Sequence, residues 1–289
     1  MKFATYTYQG QRGVGLVSDD LQSLRALRLD EGQAQQGAAA LIGRAGLAGY
    51  VQERLGETLR LADVRLEAPI PRPRRNIFCV GRNYHAHAKE LSASVFKEND
   101  KNVASWPIVF SKVPECVTGP YDDVSLPVGI SEQIDYEAEL AVVIGTQCKN
   151  VGRDQALQQI FGYTIVNDVT ARDVQMRHQQ WDLGKSFDGF CPMGPWLVTA
   201  DEIDSAAVQV SCTVNGQMRQ NASTRDFIFD IPSLIETCSR GITLYPGDII
   251  ATGTPAGVGM GMTPPTYLKS GDRVRVEIQG IGAIENKFV

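Results

Sequence analysis

Residues 134–145 read Ile-Asp-Tyr-Glu-Ala-Glu-Leu-Ala-Val-Val-Ile-Gly. The second half is an unbroken apolar, largely β-branched run bounded by glycine, the pattern of a strand buried on both faces. In the first half, acids stand two apart. Successive strand side chains point to opposite faces, so Glu137 and Glu139 fall on one side, with Asp135 beside them. Such a row is costly to bury unless something positive lies among the carboxylates. Two readings remain open, a solvated strand face and acids gathered around a cation, and the buried character of the run that follows weighs against full exposure.

Working outward, further short apolar runs bounded by Gly, Pro or Asn predict strands at 77–80, 108–112, 136–144, 163–167, 196–199, 208–214, 248–252 and 273–278. Helical spacing is convincing only at 84–92, 154–161 and 229–240. Many strands with few helices between them imply an α+β fold, β-rich, and argue against a doubly wound nucleotide-binding sheet. The Asn215-Gly216 pair predicts a type I′ hairpin between two of the strands. Ahead of this region, residues 2–18 read as a strand pair and 33–54 as helical. Prolines at 69, 71 and 73 interrupt regular structure. The predicted division is a small α+β cap over 1–70 and a larger β-rich unit over 71–289.

The chain has 289 residues, with 28 Lys and Arg against 33 Asp and Glu, a formal charge of -5. That balance lacks the basic footprint of a nucleic-acid binder. Neither a secretory signal nor an apolar run of membrane-spanning length is evident, which predicts a soluble protein of the cytoplasm. Six cysteines with no CxxC spacing predict reduced, mostly buried thiols rather than a zinc knuckle. Gly257, Gly259 and Gly261 lack the GxGxxG spacing of a dinucleotide loop, and Gly184-Lys185-Ser186 lacks the rest of a phosphate loop. No GxSxG elbow is present.

Asp168 closes the apolar run YTIVN, at a strand end where sites are commonly built. Together with Glu137 and Glu139 it offers three hard oxygen donors, which select magnesium, manganese or calcium over zinc and leave open positions for water and substrate. In VGRNYHAHAKE (80–90), His87 and Glu90 are three apart on a predicted helix, so the carboxylate can orient the imidazole as a general base. An ordinary surface or core histidine fits the same spacing.

These blocks, with NDVTARD (167–173), LGKSFDGFCPMGP (183–195) and PGDIIATGTPAGVG (246–259), resemble the fumarylacetoacetate hydrolase family in the same order, over roughly residues 70–289. Within it, WDLGKSFDGFCPMGP and PPTYLKSGDRVRVEI resemble the fumarylacetoacetate hydrolase domain-containing 2 type. The resemblance implies a β-rich fold around a rolled mixed sheet, a homodimer, and a Mg2+ or Mn2+ site, which Ca2+ could fill in a crystal. It assigns the metal to Glu137, Glu139 and Asp168, a dyad to His87 and Glu90, an electrophilic amine to Lys185, and substrate contacts to Arg172, Gln175 and Thr254. The implied activity is metal-dependent hydrolysis of the C–C bond of a 2,4-dioxo acid through a metal-stabilised enolate, as in aromatic catabolism. Oxaloacetate decarboxylation and isomerisation or hydration of unsaturated 2-oxo dicarboxylic acids are the alternatives, and a silent relative that keeps only the fold is a third class. In the hydrolytic reading His87 activates water and Lys185 stabilises the oxyanion. The polar stretch 91–107, next to the dyad, is expected to form a lid or pocket wall.

Overall fold

The computed structural model describes residues 1–94, 105–177 and 180–289, with the backbone alone at 91–94. Most of the expected pocket wall at 91–107 therefore lies outside the described residues. Ala138–Ile144 is buried at all of its positions and lies deep within a twelve-stranded mixed sheet, counted among the described residues. It pairs antiparallel with Ile160–Asn167 on one side and Ile249–Ala251 on the other. Ile77–Gly81 runs parallel to Ile249–Ala251, and Ile108–Lys112 follows it as the last strand of that side. A continuous apolar sequence takes the place where neither face meets water, as its composition predicts.

A second, four-stranded antiparallel sheet is built from Gln217–Ser223, Gln209–Val214, Arg273–Ile278 and Gly282–Lys287. Arg273–Ile278 alternates exposed and buried positions strictly, the signature of a strand with one wet face. Asn215 and Gly216 form the turn between Gln209–Val214 and Gln217–Ser223 with φ of 51° and 76°, as the turn chemistry requires.

The first seventy residues extend the large sheet. Lys2–Tyr8 pairs with Cys191–Thr199, and Gln11–Val17, Ser23–Leu27 and Leu55–Arg60 continue outward. The helical spacing over 33–54 resolves into Glu31–Gln36, a 3-10 turn at Gly37–Leu41, and Leu47–Arg54. Gly37, with φ +65°, breaks the run where a Cβ would lie 2.7 Å from Pro71 Cδ and 2.9 Å from Pro69 O.

Two expectations shift locally. The predicted helix at 154–161 is one turn, Arg153–Ala156, and a 3-10 turn, Leu157–Gln159. Ile160 and Phe161 instead begin the adjoining strand, where a β-branched and an aromatic side chain pack well. The strand expected from Tyr136 starts at Ala138, while Ile134–Asp135 forms a separate short ladder with Thr170–Ala171. That break turns Asp135 away from Glu137 and Glu139.

At Gly162 a Cβ would lie 1.9 Å from Val198 O, across the Gly162–Thr199 pairing. Gly162→Ala should cost at least the about 1–3 kcal/mol typical of overpacking, because the clash is with backbone. Thermal unfolding would report this as a drop of several degrees in Tm, and an unchanged Tm would contradict the tight approach.

Candidate active site

The antiparallel register sets Ala138 opposite Asn167, so residues just outside these strand ends meet. Asp168 N donates to Glu137 O at 2.8 Å, and Glu137 N donates to Asn167 Oδ1 at 3.0 Å. One carboxylate oxygen each from Glu137, Glu139 and Asp168 lies within 4.8 Å of the other two. All three residues are buried. The row of acids in the sequence is therefore no solvated face.

Cations surround part of this cluster. Lys185 Nζ donates to Glu137 Oε2 at 2.6 Å and to Asp168 Oδ2 at 2.8 Å. Lys112 Nζ donates to Asp168 Oδ1 at 2.8 Å and to Val169 O at 3.1 Å, and also lies against Lys185 O. Arg172 Nη2 lies 2.7 Å from Glu137 Oε1, in ion-pair contact although poorly angled for a hydrogen bond. Arg172 Nε donates to Asp135 Oδ2 at 2.9 Å. Although burial opposes it, Lys185 and Arg172 hold the Glu137 carboxyl far below the usual carboxylate range. Glu139 goes the other way, raised well above that range by burial and then by Asp168 and Glu137. Its Oε2 accepts from Gly253 N at 2.9 Å.

Among the described residues, Lys112, Arg172 and Lys185 form ion pairs with Asp135, Glu137 and Asp168, while Glu139 is the one acid of this group in no ion pair. Three hard oxygens short of positive charge suit a divalent cation of the magnesium or manganese kind. The carboxylate triad can hold such an ion, as the donor set in the sequence predicts.

His87 lies on His85–Ser94 and is 2% exposed. Its Nδ1 is 3.0 Å from Glu90 Oε2, which leaves Nε2 as the basic nitrogen. Glu90 Oε1 accepts from Gly257 N at 3.0 Å. A Cβ on Gly261 would lie 2.3 Å from Glu90 Cδ, so the glycines that failed as a dinucleotide loop let backbone close around the dyad.

A cavity brings together His87, Glu137, Arg172, Gln175 and Lys185, with Phe110, Trp181 and Met260 as apolar wall. Arg172 Nη1 donates to Gln175 Oε1 at 3.1 Å. Thr254 is not in the lining, and its hydroxyl accepts from Gln220 Nε2 at 2.7 Å. Two cations escaped the sequence reading. Lys112 ends an apolar strand with nothing to mark it as a partner of Asp168. Arg82, which also lines the cavity, is buried with φ +55° and donates through Nη2 to Ala88 O at 3.2 Å.

Residues 76–289 match the family described as fumarylacetoacetate (FAA) hydrolase, C-terminal. "Oxaloacetate tautomerase YisK" of Bacillus subtilis (strain 168) is 48% identical over 229 residues, 79% of this chain and 74% of that protein. "Oxaloacetate tautomerase FAHD2A, mitochondrial" of Homo sapiens is 43% identical over 259 residues, 88% of this chain and 78% of that one. Among solved structures, a fumarylacetoacetate hydrolase from Exiguobacterium antarcticum superposes with a TM-score of 0.84 at 39% identity, covering 100% of this chain and 99% of its own. A maleylpyruvate hydrolase from Sphingobium sp. SYK-6, in complex with manganese (II) ion and pyruvate, gives 0.80 at 31% identity with coverage of 100% and 99%. The chain belongs to the fumarylacetoacetate hydrolase family, and the likeness to its domain-containing 2 type and the β-rich α+β architecture are both borne out. Among the described residues no helix is long and apolar enough to cross a membrane.

The charge shortfall is testable. A carboxyl raised in the folded state holds its proton longer than in the unfolded chain, so metal-free stability falls as pH rises from the unfolded value toward the folded one. The slope approaches about 1.4 kcal/mol per pH unit for one proton. Glu139→Gln should remove that slope, match or exceed the wild-type Tm without metal at neutral pH, and abolish the Tm rise on adding Mn2+. A Mn2+ response equal to wild type would contradict the assignment.

Proposed function

We propose that this protein is a divalent-metal-dependent oxaloacetate tautomerase, moving a proton between carbon 3 and the 2-oxygen of the oxo acid. The observation that carries the proposal is a buried imidazole, paired with the Glu90 carboxylate, that lines the same cavity as Lys185 and two arginines. The tautomerase names of relatives 48% and 43% identical support it. The proposed metal ligands are Glu137, Glu139 and Asp168, and a bound cation would supply Lewis-acid polarisation of the 2-oxo oxygen.

The chain's own groups do the rest. His87 Nε2 takes the proton from carbon 3, the C–H pair becomes the C2–C3 double bond, and the proton is delivered to the 2-oxygen. Glu90 keeps the imidazole in the tautomer that can accept. Lys185 Nζ, anchored by Glu137 and Asp168, presents a hydrogen bond to that oxygen as charge develops on it. Arg172, squared up by Gln175, takes one carboxylate, and Arg82 takes the second, which selects a dicarboxylic acid. Thr254 is proposed as an outer contact reached through Gln220.

Cleavage of a 2,4-dioxo acid is the second reading, since the same imidazole can activate water, and the maleylpyruvate hydrolase neighbour favours it. Oxaloacetate decarboxylation needs the same electron sink but no base. A homodimer is proposed from Ile108–Lys112, the last strand on its side of the sheet among the described residues, where Val109, nearby Trp106 and Leu183 are exposed. The cap over 1–70 and the unit over 71–289 are proposed on the proline stretch and the family match that begins at 76. A cytoplasmic location is likewise a proposal, beside a human relative named mitochondrial.

With Mn2+ present, enol oxaloacetate followed by its ultraviolet absorbance should ketonise with a higher kcat/KM than any acylpyruvate or fumarylpyruvate is cleaved, and the reverse ranking would install the hydrolase reading. His87→Ala should lower tautomerisation about 10²–10⁴-fold while leaving decarboxylation within a few fold; retained tautomerisation would remove His87 as the base. Arg82→Leu should raise KM for oxaloacetate about 10–100-fold, the worth of a hydrogen bond to a charged group, with a smaller effect on kcat. An unchanged KM would take Arg82 out of recognition.

A further inference from the structure

We infer that Asp135 is a positioning residue that aligns two parts of the site at once, the guanidinium of Arg172 and the 257–260 loop that bonds Glu90 of the Glu90–His87 pair. The inference rests on the proposed reading of Arg172 as a carboxylate contact and of His87 as the base. By strand period Asp135 belongs with the metal-type acids, yet its side chain goes elsewhere. It is 0% exposed, and both of its oxygens are fully occupied. Oδ2 accepts from Arg172 Nε at 2.9 Å and from Met260 N at 2.9 Å, while Oδ1 accepts from Gly259 N at 2.7 Å and from Tyr136 N at 2.9 Å.

One arm of this junction orients Arg172. With Nε on Asp135, Nη1 on Gln175 and Nη2 against Glu137, the guanidinium plane cannot turn. A planar fork held in one orientation presents its remaining N–H groups along one direction, and a carboxylate bound there meets a preformed partner. The other arm seats the loop. Gly257 N holds Glu90 Oε1, Tyr136 Oη donates to Gly257 O at 2.9 Å, and two residues on, Gly259 lies so close that a Cβ would be 2.8 Å from Asp135 Oδ1 and 2.1 Å from Thr266 O. The dyad is thus tied through the loop to the same carboxylate that fixes Arg172. An amide cannot take its place, because its nitrogen would face donors where the carboxylate oxygen accepts them.

The test measures binding and turnover separately in the Mn2+-loaded full chain, with oxalate as a carboxylate probe followed by calorimetry. Asp135→Asn should weaken oxalate about 10-fold or more and lower kcat for oxaloacetate about 10-fold or more, the scale of a lost bond to a charged group. Its effect on oxalate affinity should largely disappear in an Arg172→Lys background, which a merely structural role would not produce. Tyr136→Phe, which frees only the loop, should lower kcat several-fold and leave oxalate affinity unchanged. That variant keeps the inference falsifiable should Asp135→Asn not fold. The inference is overturned if Asp135→Asn keeps both quantities within about threefold of wild type, if its effect simply adds to that of Arg172→Lys, or if Tyr136→Phe changes oxalate affinity rather than kcat. A wild-type chain that binds Mn2+ but no oxalate overturns it as well. Oxalate binding without oxaloacetate turnover would instead sink the tautomerase reading and leave the Arg172 arm to be decided by affinity alone.

Discussion

Carboxylates crowded at one end of a buried sheet repel one another and resist leaving water, and that single constraint organises the catalytic end of the molecule. Glu137, Glu139 and Asp168 arrive there because the antiparallel register of two apolar strands leaves no alternative. Lys185 and Lys112 neutralise part of the cluster, and Arg172 is shared between Glu137 and Asp135. Among the described residues no cationic side chain pairs with Glu139, and that unpaired carboxyl gives the triad its appetite for a divalent ion. A cluster fully neutralised by protein would have little use for one.

The same constraint connects stability to chemistry. Lys185 lies within bonding distance of two triad members while lining the cavity, so its ammonium serves both to hold the acids together and to face a substrate oxygen. Its position over the Phe110 ring, 4.8 Å from the centroid, and the Phe110–Trp181 edge contact make that wall apolar, which strengthens every charge interaction inside it. The dyad is built differently. His87 and Glu90 share a helix, but their alignment depends on a loop more than 160 residues away in sequence.

Much of this was legible in the sequence because burial leaves a one-dimensional trace. The run LAVVI read as a strand with both faces covered, and that weighed against a solvated face for the acids ahead of it without deciding the matter. The triad and the His-x-x-Glu spacing were visible for the same reason, whereas Asp135 was placed with the triad by a period that stops at Tyr136, where the chain leaves the strand. Ser23–Leu27 and Leu55–Arg60 were missed since they alternate weakly and gain their place by pairing at a sheet edge. Lys112 and Arg82 have no local signature at all: a basic residue at a strand end, or one in a left-handed turn, acquires meaning only from acids and walls brought up by distant segments. The glycines at 257–261 were legible as punctuation but not as the surface that closes on Glu90 and Asp135.

The most direct measurement is anomalous diffraction from a crystal soaked in Mn2+. The account predicts one strong peak within coordinating distance of an oxygen from each of Glu137, Glu139 and Asp168, on the cavity side and next to Lys185. A peak that leaves Glu139 uncoordinated, or no peak among the three acids at saturating metal, would contradict it.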